Sequence, residues 1–120
     1  MGIDWKMNTE EILQAMCRVL SKELERSPLS AQRNSTPNQQ NLDIFMEGHT
    51  KRVGQIWPKK TDQKVEFILA KELVEMIKHE VELPEDKNAI SGKHPDRCCY
   101  SRMEFEKVVE ILQALVRKTR

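Results

Sequence analysis

The chain has 120 residues, with 20 Lys and Arg against 19 Asp and Glu, so its formal net charge is +1. This length suits one domain with a single hydrophobic core. The balanced charge argues against a basic, histone-like protein, because it provides no global field that attracts nucleic acid or an anionic membrane. No apolar run approaches the roughly 18 residues of a membrane span. Three cysteines are an odd number, which argues against a disulfide framework and favours a cytoplasmic protein.

Four segments carry apolar residues at the three- and four-residue spacing of an amphipathic helix, and they predict helices over 9–26, 42–57, 61–82 and 101–119. Capping-box patterns mark two of the starts, Asn8 with Glu11 and Ser101 with Glu104. Polar stretches punctuated by Pro and Gly predict two long loops, over 27–41 and 84–100. We therefore predict an all-α fold, a four-helix bundle-like single domain.

The second predicted helix has a competing interpretation. Gly48 and Gly54 would both lie in its interior, where each glycine costs about 1 kcal/mol relative to alanine. The alternative is a break near Gly48, or a short extended piece over 52–57. An α+β fold is the corresponding alternative for the whole chain.

The third predicted helix is apolar on two sides. Phe67, Val74 and Val81 are spaced by seven residues and lie opposite its main apolar stripe. Ile44 and Ile111 also fall off the main faces of their predicted helices. Because a surface helix of a monomer needs only one apolar stripe, these five residues predict a homodimer interface. The leading functional prediction is a protein-interaction module that first binds itself, rather than an enzyme.

Acidic side chains on the same predicted helix suggest a metal-dependent alternative. Glu72, Glu75 and His79 lie along one helix edge, at positions i, i+3 and i+7. Carboxylates and an imidazole on one helical face can hold an ion such as Mg²⁺ when other helices add ligands. The competing interpretation is a solvated edge in which Glu72 joins one ion pair.

The stretch 72–75 resembles the E-x-x-E motif of the MazG-like nucleotide pyrophosphatases, which are all-α proteins that hold Mg²⁺ between helices. The second acidic motif of that family, E-x-x-D, has no counterpart here, because Glu106 and Glu110 are present without the Asp. The resemblance implies a metal-dependent nucleotide hydrolase, with Glu72 and Glu75 as ligands.

Basic residues are segregated from the acidic segment 61–86. A helix-turn-helix built from the second and third predicted helices would place that acidic segment against phosphate. We therefore do not expect nucleic acid to be the partner. A nucleic-acid-binding regulator is the second alternative to the interaction module, after the metal-dependent hydrolase. It would use two basic clusters: Lys51, Arg52, Lys59 and Lys60, and Lys93, Arg97, Arg102, Arg117, Lys118 and Arg120.

Soft metal ligands occur together in the second predicted loop, where His94 is followed by Cys98 and Cys99. Adjacent cysteines lack the C-x-x-C spacing that lets both sulfurs bind one Zn²⁺ ion comfortably. The sequence therefore predicts no cofactor, with one cysteine packed beneath the loop.

Overall fold

A computed structural model describes residues 2–34 and 36–120, with the backbone alone at Ile90. Ser35, inside the predicted loop 27–41, lies outside the described residues. The order of elements is α1 Thr9–Glu23, β1 Leu29–Arg33, β2 Leu42–Met46, β3 Gly54–Lys59, β4 Lys64–Ala70, α2 Lys71–Ile77, α3 Lys87–Ser91, β5 Arg97–Met103 and α4 Phe105–Thr119. No helix among the described residues is long and apolar enough to cross a membrane.

Five strands form one antiparallel sheet in the order β1-β2-β3-β4-β5. The first four strands each pair with the next strand in the sequence, and β5 joins β4 after the chain has passed through α2 and α3. β2 pairs with β3 only as far as Ile56, so Pro58 lies where β3 has β4 as its one strand neighbour. Proline is tolerated at such a position because no ladder hydrogen bond is lost on the open side.

The hydrophobic core lies between the sheet and the helices α1, α2 and α4. Strand β4 shows how the sheet contributes, since Val65, Phe67 and Leu69 are buried while the intervening side chains remain partly exposed. This two-residue alternation is that of a strand with one face against a core. From the helical side the buried residues are Ile12, Leu13, Met16 and Leu20 of α1, and Phe105, Val108, Val109, Ile111, Leu112, Ala114, Leu115 and Val116 of α4.

The prediction of an all-α four-helix bundle is wrong, and the α+β alternative is the fold that the structure shows. The predicted helix 42–57 is the pair of strands β2 and β3, joined by a connection that contains Gly48 at φ 88°. The predicted helix 61–82 is strand β4 followed by the short helix α2. The extended interpretation of 52–57 lies close to β3.

The first and last predicted helices are present, with different ends. Asn8 caps α1, and its side chain accepts a hydrogen bond from the Glu11 N–H while the Glu11 carboxylate accepts one from the Asn8 N–H. At the other end of the chain, Ser101 lies in β5 and Glu104 is the N-cap of α4. The predicted Ser101 capping box is therefore not formed, because the strand continues to Met103. The two predicted loops contain β1, and α3 with most of β5.

Candidate functional site: a groove on the outer face of the sheet

The face of the sheet that points away from the core helices α1 and α4 carries side chains that the strand register brings together. Asp43 of β2 pairs with Gln55 of β3, Gln55 pairs with Ile68 of β4, and Ile68 pairs with Cys99 of β5. Side chains at directly paired positions project to the same face of a sheet. These four side chains, some polar and some apolar, therefore form a row across four strands, on the face that no helix of the core covers.

This row forms the floor of what we call the sheet groove, two adjoining depressions of about 520 Å³ and 400 Å³. Both depressions are lined by Arg52, Gln55, Ile68 and Arg97. The larger depression extends over Phe45 towards Lys51, and the smaller one extends over Trp57 towards His94. Clefts of this size are typical of sites for small ligands or for segments of a polymer.

The backbone around Arg52 is held from two sides. The N–H of Val53 donates to the carbonyl of Ile44 at 2.7 Å, and the carbonyl of Val53 accepts from the N–H of Ala70 at 2.8 Å. These bonds join the end of the β2–β3 connection to both β2 and the end of β4. The position of Arg52 at the groove is therefore determined by the sheet, as a preorganised binding site requires.

One guanidinium nitrogen of Arg52 is engaged by a buried carboxylate. Its Nη1 donates to Oδ1 of Asp43 at 3.2 Å, and the side-chain amides of Asn41 and Asn34 donate to Oδ1 and Oδ2 at 2.8 Å each. The Asp43 side chain is only 10% exposed. These three donors satisfy the buried charge, which would otherwise be costly. The bond to Asp43 in turn holds Arg52 over the groove.

Arg97 faces Arg52 from the last strand. Its N–H donates to the carbonyl of His94 at 3.3 Å, its carbonyl accepts from Nδ2 of Asn88 at 3.0 Å, and its Nη2 donates to Nδ1 of His94 at 3.1 Å. Among the described residues, no carboxylate oxygen lies within 4.0 Å of the Arg97 guanidinium. Arg97 therefore keeps most of its donors available for an anion.

The floor combines aromatic, apolar and amide groups. Nε1 of Trp57 donates to Oε1 of Gln55 at 2.8 Å, which fixes the indole against the strand and satisfies its one donor. Trp57 and Phe45 are both partly exposed, at opposite ends of the groove. The floor can therefore contact planar apolar parts of a ligand, while Arg52 and Arg97 can contact its negatively charged parts.

Acidic groups balance part of the basic charge. Glu66 lies directly opposite Trp57 in the β3–β4 register, and Asp96 lies beside Arg97. Burial raises the pKa of the Cys99 thiol in the groove, and the negative charge of Glu66 adds to this increase. A thiol with a raised pKa is a poor nucleophile near neutral pH, so the groove has the character of a binding site rather than of a cysteine-based catalytic site.

The predicted metal ligands lie on the surface beside the groove and are engaged in separate pairs. Oε1 of Glu72 lies 3.1 Å from Nε2 of His49, and Glu75 forms an ion pair with Lys78. The side chain of Lys78 lowers the pKa of Glu75 by hydrogen bonding and by its charge. His79 follows the end of α2 and is exposed. Within the described residues, no three His, Cys, Asp or Glu side chains are grouped as a metal ion requires.

The five predicted interface residues lie within the core of the single chain. Phe67, Ile44 and Ile111 are 0% exposed, and Val81 and Val74 are 5% and 6% exposed. The seven-residue spacing that predicted a second helical face connects three different elements: strand β4, helix α2 and the segment after it. These side chains are therefore not surface anchors, and self-association stays a prediction without an assigned interface.

The adjacent cysteines point to opposite faces of β5. Cys98 is buried on the core side, as one cysteine was predicted to be, and Cys99 lines the groove. Both are free thiols. Burial and a hydrogen bond to Asp86 raise the pKa of Cys98, and burial raises the pKa of Tyr100 beside it. This alternation is the ordinary consequence of a strand, and it separates the two sulfurs that a shared Zn²⁺ would need.

Sequence reasoning identified Arg52 and Arg97 as members of two basic clusters but did not predict that they meet. Trp57 falls at the end of the predicted helix 42–57, and the sequence analysis does not single out Gln55 or Asp43. Alternation of apolar residues in 65–69 was the available signal for β4, and with it for a sheet. Comparisons with protein-family models, with curated proteins and with solved structures find no match to this chain.

Proposed function

We propose that the chain is a binding module whose sheet groove takes an anionic ligand. The observation that carries this proposal is the convergence of Arg52 and Arg97, from different parts of the chain, on one groove with an apolar floor. Planar guanidinium groups are the residues that best recognise carboxylates and phosphates, through paired hydrogen bonds. The three free cysteines support a reducing location such as the cytoplasm.

A binding role is favoured over a hydrolytic one by the state of the acidic residues. Glu72 and Glu75 each have a basic partner, and those partners differ. A Mg²⁺-dependent hydrolase needs several oxygen ligands directed at one point, and the described residues contain no such group. The groove, in contrast, holds charged and apolar groups in the fixed arrangement that recognition requires.

The proposal is tested by thermal unfolding at low salt with inorganic triphosphate as the probe. Bound ligand stabilises the folded state, and at ten times the Kd the gain is about 1.4 kcal/mol, which raises the Tm by several degrees. We expect this increase in the parent protein, and we expect Arg97→Gln to lose it.

Arg117→Gln is the matched control, because it removes the same charge from the exposed C-terminal turn of α4, away from the groove. It should keep the full increase in Tm. No increase in the parent protein, or an equal loss in the two variants, would contradict the proposed site.

A further inference from the structure

Resting on the proposed function, we infer that the ligand of the sheet groove is single-stranded nucleic acid. Two aromatic side chains lie on the floor, one on each side of the paired residues Asp43 and Gln55. Phe45 is two residues beyond Asp43 in β2, and Trp57 is two residues beyond Gln55 in the opposite direction in β3. At about 3.3 Å per residue, the two rings are separated by roughly 13 Å along the strands. One small anion cannot use both rings, whereas a chain of linked bases can.

Charge in the groove is closely balanced, which indicates that contacts other than charge provide most of the affinity for the ligand. Lys51, Arg52 and Arg97 face Asp43, Asp96 and Glu66 around the two depressions. Purely electrostatic attraction is therefore weak, although the guanidinium groups can still contact individual phosphates. Stacking of bases on aromatic rings supplies the remaining affinity in proteins that bind single strands.

The indole of Trp57 is held for such stacking. Its N–H is bonded to Gln55, and the strand register places Glu66 directly beside it on β4. A base lying on this indole would have a carboxylate acceptor at its edge, which suits a base with an exocyclic amino group. The partly exposed ring faces the groove rather than the core.

Single strands fit the groove better than duplexes do. In a duplex, the base faces are stacked on one another and cannot reach aromatic rings on a sheet, whereas unpaired bases can be splayed out. Arg52 lines the groove from the β2–β3 connection, and Arg97 with His94 lines it from β5 and the segment before it. A flexible single strand can lie across such a cleft with its phosphates at the arginines and its bases on the floor.

The experiment measures the fluorescence anisotropy of a labelled single strand of about 12 nucleotides. A duplex of the same sequence, inorganic polyphosphate and poly-glutamate serve as competitors. We expect the single strand to bind at least tenfold more tightly than each of the other three. Trp57→Leu should weaken single-strand binding by roughly 5- to 150-fold and weaken polyphosphate binding by a smaller factor.

Two further variants keep the test decisive. Trp57→Phe retains an aromatic ring and should bind the single strand within a few-fold of the parent protein, even if Trp57→Leu is poorly folded. Trp5→Leu changes a tryptophan outside the groove and should bind normally. Circular dichroism verifies that each variant is folded.

The outcomes separate the two proposals. Equal affinity for polyphosphate and the single strand, with no effect of Trp57→Leu, would overturn the nucleic-acid inference while leaving the anion site intact. Tighter binding of poly-glutamate would replace the inference with an acidic protein segment as the ligand. Absence of binding to all four probes would overturn both proposals.

Discussion

The backbone N–H of Cys99 donates to Oδ1 of Asp86 at 2.8 Å, and so the carboxylate that caps α3 also holds the outer edge of β5. The same oxygen accepts from the N–H of Asn88 at 2.9 Å. Although burial opposes ionisation, these N–H groups hold the pKa of Asp86 below its usual range. An ionised Asp86 therefore joins the segment beside the groove to the last strand.

Asp86→Asn should lower the free energy of unfolding by about 1 kcal/mol at pH 7, because the hydrogen bonds from the N–H groups of Asn88 and Cys99 would then go to a neutral acceptor instead of a charged one. Because the folded-state pKa is lowered, this contribution is present above the pKa of an unfolded aspartate, about 3.9. It is lost as the pH falls through the lower folded-state value. Urea unfolding from pH 7 to pH 2 should show the parent protein and the variant converging in acid. A difference that is independent of pH would contradict the role of this charge.

Gly54 lies under the groove where β2, β3 and β4 pack closely. A Cβ at this position would lie 3.0 Å from the carbonyl oxygen of Ile68 and 3.3 Å from Cβ of Ile44. We expect Gly54→Ala to reduce the free energy of unfolding by about 1–3 kcal/mol, because the contact is with backbone that cannot yield easily. Gly2→Ala is the control, since nothing lies within 4 Å of its added Cβ. Chemical denaturation measures both variants, and equal stability would contradict the close approach.

Phe67 distinguishes a core position from an interface position. Its side chain is fully buried within one chain, so Phe67→Ala should cost about 3–5 kcal/mol of stability. Phe67→Glu should prevent folding rather than produce a soluble monomer. Circular dichroism and native mass spectrometry of the variants, beside the parent protein, measure folding and oligomeric state together. A folded, monomeric Phe67→Glu protein from an oligomeric parent would return this residue to an interface.

Cys99 reports on the groove and Cys17 serves as its internal control. Because its pKa is raised above the ordinary value of about 8.5, Cys99 should be alkylated slowly by iodoacetamide at pH 7 and faster as the pH rises above 9. A single-stranded oligonucleotide should further protect Cys99, which lines the groove, and leave Cys17 on α1 unaffected. Tandem mass spectrometry locates the modification. Equal protection of both thiols would indicate a ligand bound elsewhere or a global effect.

Glu66 should determine which bases are preferred. If it accepts a hydrogen bond from the amino group of a base on Trp57, oligo(dC) should bind about tenfold more tightly than oligo(dT). Glu66→Gln should reduce this ratio, because the neutral side chain is a weaker acceptor, while its overall binding becomes stronger through loss of negative charge. Anisotropy titrations at constant salt give the ratio. An unchanged ratio in Glu66→Gln would place the base contact at another residue.

The first and last helices could be predicted because their apolar residues keep the helical spacing along the whole length of each helix. In α4, buried residues recur from Phe105 to Val116 without interruption. The prediction of one helix over 61–82 is wrong because β4 runs directly into α2. Ile68 on the outer face obscures the alternation of Val65, Phe67 and Leu69, so that strand and helix together imitate one long helix with two apolar sides.

The groove could not be predicted as a unit, because its residues become neighbours only through strand pairing. Gln55 and Cys99 are far apart in the sequence, and both lie next to Ile68 across the sheet. Pairing register decides which side chains share a face, and one residue of slippage would exchange the faces. The basic residues Arg52 and Arg97 were visible as charge, whereas their common target depends on that register.

Strand order also determines when the groove is completed during synthesis. The chain emerges from the ribosome N-terminus first, and β1 to β4 can form a hairpin ladder before β5 is made. At that stage Arg52, Gln55 and Trp57 have been synthesised, but the side of the groove formed by His94 and Arg97 is missing. A nascent chain would therefore have at most one half of the cleft and one of the two guanidinium groups, so that the proposed ligand can be bound tightly only after the last strand has docked.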